Sequence, residues 1–410
     1  MTAKGEGGSP LHGDDVKMRV CSLKIKLVFS AERSIQCHSY FYYPFTLIHP
    51  MTTSLQHTIQ TALGDIIDPC LHKKLAETKT RIAIKLSETK GTIDLCFPYP
   101  LEGLKNQLIQ EITEKMGELS SLPFKINLSW KIDAHAVPTG ITVIAGVKNI
   151  IAVASGKGGV GKSTTALNLA LSLQAEGARV GLLDADIYGP NQPQMLGVKD
   201  ERPNTENNQI EPIRRFGLQT MSMGYLVDAQ QPMIWRGPMV SSALMQLATG
   251  TTWKDLDYLI VDLPPGTGDI QLTLSQKIPV SGAVIVTTPQ EVALADARKG
   301  LAMFRKVNVP ILGLIENMSH SLCKHCHEKE YIFGQGGGAK MAEHYDVPFL
   351  GEVPLLPALR ESADTGQPLV LAEPESEIAY LYRELARSLA ANLSTQPKNH
   401  SARLPKIVVE

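Results

Sequence analysis

From Asn149 onward the chain predicts an α/β fold, a doubly wound and mostly parallel sheet, preceded by a smaller α+β domain. Three observations carry this. Short apolar runs suited to buried strands recur near 150–154, 179–184, 257–262, 282–287, 311–316 and 348–353, with helical patterns at 163–175, 237–249, 290–306 and 336–345 between them. That alternation is the pattern of right-handed strand–helix–strand crossovers. A glycine-rich loop, Gly156–Ser163, joins the first of these strands to the first helix and fits G-x-x-x-x-G-K-[ST]. Residues 51–130 follow a different rhythm, with paired alternating strands and two amphipathic helices.

Residues 1–50 open polar and continue through aromatic clusters such as YFYYPF with no period, so they are expected to be poorly ordered or an artefact of an upstream start codon. The small domain, 51–130, reads as a helix (Ser54 to Leu63), strands at 80–86 and 91–97, a helix from Leu101 to Met116 and a third strand at 124–130. Residues 131–148 read as a linker, 149–395 as the main domain, and 396–410 as a flexible tail.

The 410 residues suffice for two cores. A net charge of -1 with 20% charged residues provides no global basic field to recruit nucleic acid or an anionic membrane. No apolar run reaches the roughly 18 residues that cross a bilayer, and no secretory leader is recognisable, so a soluble cytoplasmic protein is expected. Of the six cysteines, Cys21, Cys37, Cys70 and Cys96 are scattered, whereas Cys323 and Cys326 form a close pair.

The loop predicts the chemistry. Glycines at 156, 158, 159 and 161, together with Val160, let the backbone curl so that N–H groups from Gly158 to Thr164 cradle phosphate oxygens at a helix N-terminus. Lys162 is expected to reach the β- and γ-phosphates and the Ser163 hydroxyl to ligate Mg²⁺. The main domain is therefore expected to be a P-loop NTPase domain. A second lysine, Lys157, gives the form G-K-G-G-x-G-K-[ST], which resembles the deviant Walker A group of MinD and ParA ATPases, the nitrogenase iron protein and iron–sulfur carriers. The resemblance implies an ATP-dependent homodimer in which Lys157 reaches the partner's nucleotide.

Further acids and an amide fall at predicted strand ends, where ligands of such sheets bind. Asp184 and Asp186 end the second strand; Asp186 is read as the residue that positions the attacking water, with a helix N-cap or turn aspartate as the alternative. Asp262 ends DYLIVD at the Walker B position, where it would approach Mg²⁺ through water, and the stiff P-P-G-T-G-D loop after it suits a phosphate-sensing switch. Asn317 follows ILGLIE; the resemblance implies that it reads adenine, and an Asx-turn is the alternative.

Cys323-x-x-Cys326 directs two thiolates to one soft metal centre. A four-thiolate site needs a second pair, which a twofold dimer supplies, so a [4Fe-4S] cluster bridging two subunits is expected. His320, His325 and His327 keep a zinc site open as an alternative, and a thioredoxin-like redox pair is another. GKGGVGKST, DADIYGPNQP, IWRGPM, DLPPGTGD, ENMS and the cysteine pair followed by IFGQGGG together resemble the Mrp/ApbC family of iron–sulfur cluster carriers over residues 149 to about 370. That resemblance implies ATP binding and hydrolysis, receipt of a cluster from a scaffold and delivery to iron–sulfur apoproteins, without nucleic acid or membrane. The small domain resembles the SufT/PaaD type through Asp68-Pro69, but Tyr99 stands where relatives often carry cysteine and Cys96 is displaced, so a packing or docking role is expected and no cluster ligand. A MinD- or ParA-like positioning ATPase and a nitrogenase-like reductase are the competing readings. Against the first, Ile378, Tyr382, Leu385 and Leu389 form a stripe suited to a core rather than a membrane anchor.

Overall fold

The computed structural model describes residues 50–206, 209–226, 237–323, 325–326 and 328–399. The expectation for residues 1–50 falls almost wholly outside them, as do IWR of the IWRGPM motif, His327 and residues 400–410. The described elements belong to one unit, His49–Glu410.

The unit begins with α1 (Pro50–Gly64), β1 (Arg81–Leu86), β2 (Gly91–Phe97), α2 (Lys105–Leu119) and β3 (Phe124–Trp130). Strict alternation along β2 buries Gly91, Ile93, Leu95 and Phe97 on one face, as a period of two requires. Leu108, Ile112 and Met116 recur every fourth residue of α2 and meet that face with Ile59 and Leu63 of α1. β2 pairs antiparallel with β1 and parallel with β3. Tyr99 is fully buried and its hydroxyl donates to Asp68 Oδ1 at 2.6 Å, while burial pushes the Cys70 thiol up to about 12. Tyr99 thus fills the core of its domain.

The chain continues through β4 (Val147–Ala154), α3 (Lys162–Ala175), β5 (Val180–Asp184), α4 (Gln192–Met195), the short strands β6 (Thr205–Glu206) and β7 (Gln209–Ile210), β8 (Ile213–Arg215), β9 (Leu218–Ser222) and α5 (Gly237–Gly250). Next come β10 (Leu256–Asp262), α6 (Asp269–Lys277), β11 (Gly282–Thr287), α7 (Glu291–Lys306) and β12 (Ile311–Asn317). The last part holds β13 (Ser321–Leu322), β14 (Lys329–Glu330), α8 (Gly337–His344), β15 (Phe349–Val353), α9 (Pro357–Thr365), α10 (Leu369–Ala372) and α11 (Glu377–Thr395).

Eight strands form the main sheet in the order β15-β12-β11-β4-β10-β5-β9-β8, parallel except for the antiparallel edge strand β8. The six predicted strands are present, and β8 and β9 extend the sheet beyond them. α3 is buried on all sides from Thr165 to Leu173 because the sheet lies under it and α11 over it. Burying each of its leucines contributes roughly 1.5–3 kcal/mol. The apolar stripe of α11 is buried, as its spacing predicts, and no helix of the described residues is long and apolar enough to cross a membrane.

The small domain contacts the far end of α3. Glu176 is 0% exposed; its Oε1 accepts from Arg383 and Arg387, each at 2.7 Å, and its Oε2 from the Gly103 N–H at 2.8 Å. Trp130 Nε1 donates to the Gly177 carbonyl, and Lys79 reaches the carbonyls of Ser394 and Gln396 at the end of α11. Residues 397 and 398 lie against the linker: Ala136 N–H donates to the Pro397 carbonyl and Lys398 pairs with Asp133.

Candidate functional site

β4 delivers the chain to the phosphate loop at the carboxyl edge of the sheet, and α3 carries it away. Gly159 and Gly161 have φ of +79° and +81°, the left-handed region that glycine enters without a Cβ penalty. A side chain at Gly156 would collide with the backbone of Asp296 and Ala297 on α7, so the loop is also held by close approach. The curled segment opens onto a cavity of about 330 Å³ lined by loop residues Lys157 to Thr164 other than Val160, by Asp186 and Pro265, and by Gln194, Met195 and Asp364 on the α4–α9 side.

Sheet register builds a buried acidic cluster behind Lys162, which lines the cavity. Asp262, the last residue of β10, stands opposite Val153 of β4 on one side and Asp184 of β5 on the other. Lys162 is 6% exposed and forms an ion pair with Asp262, itself 1% exposed; its Nζ also donates to Ser163 Oγ at 3.2 Å. Gln192 closes the arrangement: its Nε2 donates to Asp262 Oδ2 at 2.9 Å and to the Ser163 carbonyl at 3.0 Å. Asp184 accepts from the N–H groups of Gln192 and Asp186 and from the Ser222 hydroxyl.

Burial, with the Asp262 carboxylate next in weight, pushes Asp184 up to about 8. Asp186 is also raised by burial, with Lys162 opposing. The Asp262 carboxylate, paired with Lys162 beside the Ser163 hydroxyl, is a donor set that fits a hard divalent cation. An aspartate ionises near 3.8 when unfolded, so the native state retains a proton that the unfolded chain has lost between about pH 4 and about pH 8. Stability from this group therefore falls as pH rises through that window. Asp184→Asn is expected to raise the melting temperature of the nucleotide-free protein more at about pH 8 than at about pH 5. Equal gains at both pH values in a thermal melt would contradict a protonated Asp184.

The remaining predicted residues divide. Lys157 is exposed at the mouth of the cavity, with no side-chain bond among the described residues. Asn317 is 7% exposed and its amide donates to the Val160 carbonyl at 2.8 Å, so it meets the loop itself. Cys323 and Cys326 are free thiols in the turn between β13 and β14, the first half-buried and the second exposed. The N–H groups of Cys326 and then His325 hold the Cys323 thiol below its ordinary range, which favours the thiolate that binds soft metals. His320 turns away from a ligand role: it is buried, bonded to the Ser319 hydroxyl and set at a tilt to the Tyr331 ring. Among the described residues no group of three or more His, Cys, Asp or Glu converges as a metal site.

Sequence reasoning missed Gln192, Ser222 and Glu316. The only local signal for Gln192 was a polar residue followed by Pro193, the pair that opens α4 a few residues after D-A-D.

A model of the ParA-type family of NUBPL iron-transfer P-loop NTPases matches residues 146–390. The chain belongs to this family. The NUBPL-type match covers the whole main sheet and both the loop and the cysteine pair. The iron–sulfur cluster carrier protein of Escherichia coli strain K12 is 48% identical over 353 residues, covering 84% of this chain and 94% of that protein. The iron–sulfur cluster transfer protein NUBPL of Mus musculus is 51% identical over 257 residues, 62% of this chain and 81% of that protein. Among solved structures, the nucleotide-binding protein from Archaeoglobus fulgidus in complex with ADP is 35% identical, with a TM-score of 0.50, covering 57% of this chain and 91% of that one. The Mrp/ApbC resemblance and the mostly parallel α/β P-loop fold both stand.

Proposed function

We propose that the chain is an ATP-dependent iron–sulfur cluster carrier that binds a [4Fe-4S] cluster between two subunits and transfers it to apoproteins. The observation that carries this reading is the accessible Cys323–Cys326 pair, held on a short hairpin of the same domain that carries the phosphate loop and its buried Lys162–Asp262 ion pair. Two thiols per chain support sharing the cluster across a twofold axis. The names of the bacterial and mouse relatives agree with the cargo.

In this reading Gly158 to Thr164 hold the phosphates, and Lys162 exchanges Asp262 for the β- and γ-phosphate oxygens of ATP. Ser163 and, through water, Asp262 would hold Mg²⁺, which supplies positive charge to the transferring phosphoryl group. Asp186 would orient the attacking water, and Asn317, whose amide is bonded to the loop, would read the adenine ring. Lys157 acts on the partner's nucleotide, so hydrolysis requires a homodimer. A scaffold supplies the cluster, apoproteins receive it, and the cytoplasm is the place of action; nucleic acid and membrane have no part. The small domain, 51–130, serves packing or docking, with 131–148 linking it to the domain at 149–395.

Anaerobic reconstitution tests the cargo: about four iron and four sulfide per two chains are expected from a shared four-thiolate site. One zinc per pair and no labile sulfide would overturn it. Lys157→Ala is expected to slow ATP hydrolysis by roughly a hundredfold while changing nucleotide affinity little, as for loss of a charge that acts in the transition state. Unchanged turnover in a steady-state phosphate assay would remove the role in trans.

A further inference from the structure

Adjacent residues at the tip of β12 hold the two functional segments of the molecule. Asn317 donates to the Val160 carbonyl of the phosphate loop, and it lies so close to Gly161 that any side chain there would strike its amide. Glu316, 1% exposed, accepts the N–H of Gly338 in the first turn of α8. A side chain at Gly338 would meet the Glu316 carboxylate at 2.9 Å, so this helix start is fitted to that acid. Glu316 Oε1 has no hydrogen-bond partner among the described residues, an unusual state for a buried carboxylate oxygen.

Between these two anchors runs the segment that carries the cysteines. Met318 turns the chain with φ of +55°, and Ser319 N–H and Oγ both donate to the Val353 carbonyl. The Leu355 N–H then binds the His320 carbonyl, β13 and β14 pair, and Cys323 N–H donates to the Glu328 carbonyl. The outgoing end of the hairpin is therefore fixed beside Asn317, and its returning end is fixed by Glu316 through α8.

We propose that Glu316 is a positioning residue that, together with Asn317, forms the joint through which the state of the phosphate loop reaches Cys323 and Cys326. It rests on the carrier reading for its purpose, but the joint belongs to the chain alone. A nucleotide that draws the Val160–Gly161 backbone around its phosphates shifts the Asn317 amide with it. Because Glu316 is the next residue, the strand tip then moves against α8, and the hairpin held between them changes its geometry.

Hydrogen–deuterium exchange on the full chain, nucleotide-free and saturated with Mg-ADP, tests this without iron. In wild type and Glu316→Gln, which keeps an acceptor oxygen, Mg-ADP is expected to slow exchange in peptides spanning 155–165 and 319–336, the second by about threefold or more. In Glu316→Ala the loop peptide should keep its protection and the hairpin peptide should lose its response. Faster hairpin exchange in both states with the nucleotide response intact would mark Glu316 as merely structural and overturn the proposal. So would a wild-type hairpin that ignores Mg-ADP. If Glu316→Ala does not fold, Asn317→Ala, saturated as judged by its loop peptide, must show the same loss. A relay present in a protein that takes up no sulfide on reconstitution would overturn the carrier reading and leave the joint standing.

Discussion

Cys323→Ala is expected to abolish retention of a reconstituted cluster, with iron and sulfide falling below about a tenth of wild type, because two chains would then offer two thiolates instead of four. The residue is the better-anchored member of the pair: its N–H is bonded to the Glu328 carbonyl, and its sulfur faces the N–H groups of Cys326 and His325. Cys326 is exposed on the turn and cannot replace it alone. Nucleotide affinity, measured by calorimetry with Mg-ADP, should stay within about twofold, since neither cysteine lines the phosphate cavity and loss of a surface thiol moves stability little. Parallel loss of cluster and nucleotide would instead indicate a metal that holds the fold together, and an alanine variant that keeps its cluster would remove the pair from the site.

Lys162→Ala should damage fold and function together. Its ammonium is the only cation of the described residues in an ion pair with Asp262, and both are buried. Removing one partner of a buried ion pair costs about 3–5 kcal/mol, because the other charge is left uncompensated. Urea denaturation of the nucleotide-free protein is expected to show that loss, and Mg-ADP binding should disappear. The pair Lys162→Met with Asp262→Asn should recover most of the stability and none of the binding, since no unpaired charge remains. A single variant as stable as wild type would mean that the ammonium is not compensating Asp262 in solution.

The parts of the site that lie within one stretch of chain were legible in the sequence. The loop from Gly156 to Ser163 carries its own glycines at the positive-φ positions, and the strand ends at Asp184, Asp262 and Asn317 follow from apolar runs that stop at a polar residue. What the sequence could not reveal depends on sheet order. Gln192 reaches Asp262, and Ser222 reaches Asp184, only because β9, β5 and β10 lie side by side. β9 itself, LQTMS, is buried throughout and lacks the alternation that marks a half-exposed strand, while β8 is three residues with two arginines. For Asn317 the sequence located the position at the ligand edge, and the fold added its bond to the loop carbonyl.

α3 starts at Lys162 under the phosphate loop and ends one residue before Glu176, where the small domain is attached; at 1.5 Å per residue its 14 residues span about 21 Å. The molecule therefore has a front and a back. The phosphate loop and the strand ends at Asp184, Asp262 and Asn317 lie at one end of this stiff rod, and the small domain is bonded to the other. Such a layout lets the module at the rear be gained, lost or exchanged without reshaping the edge that carries the phosphate loop.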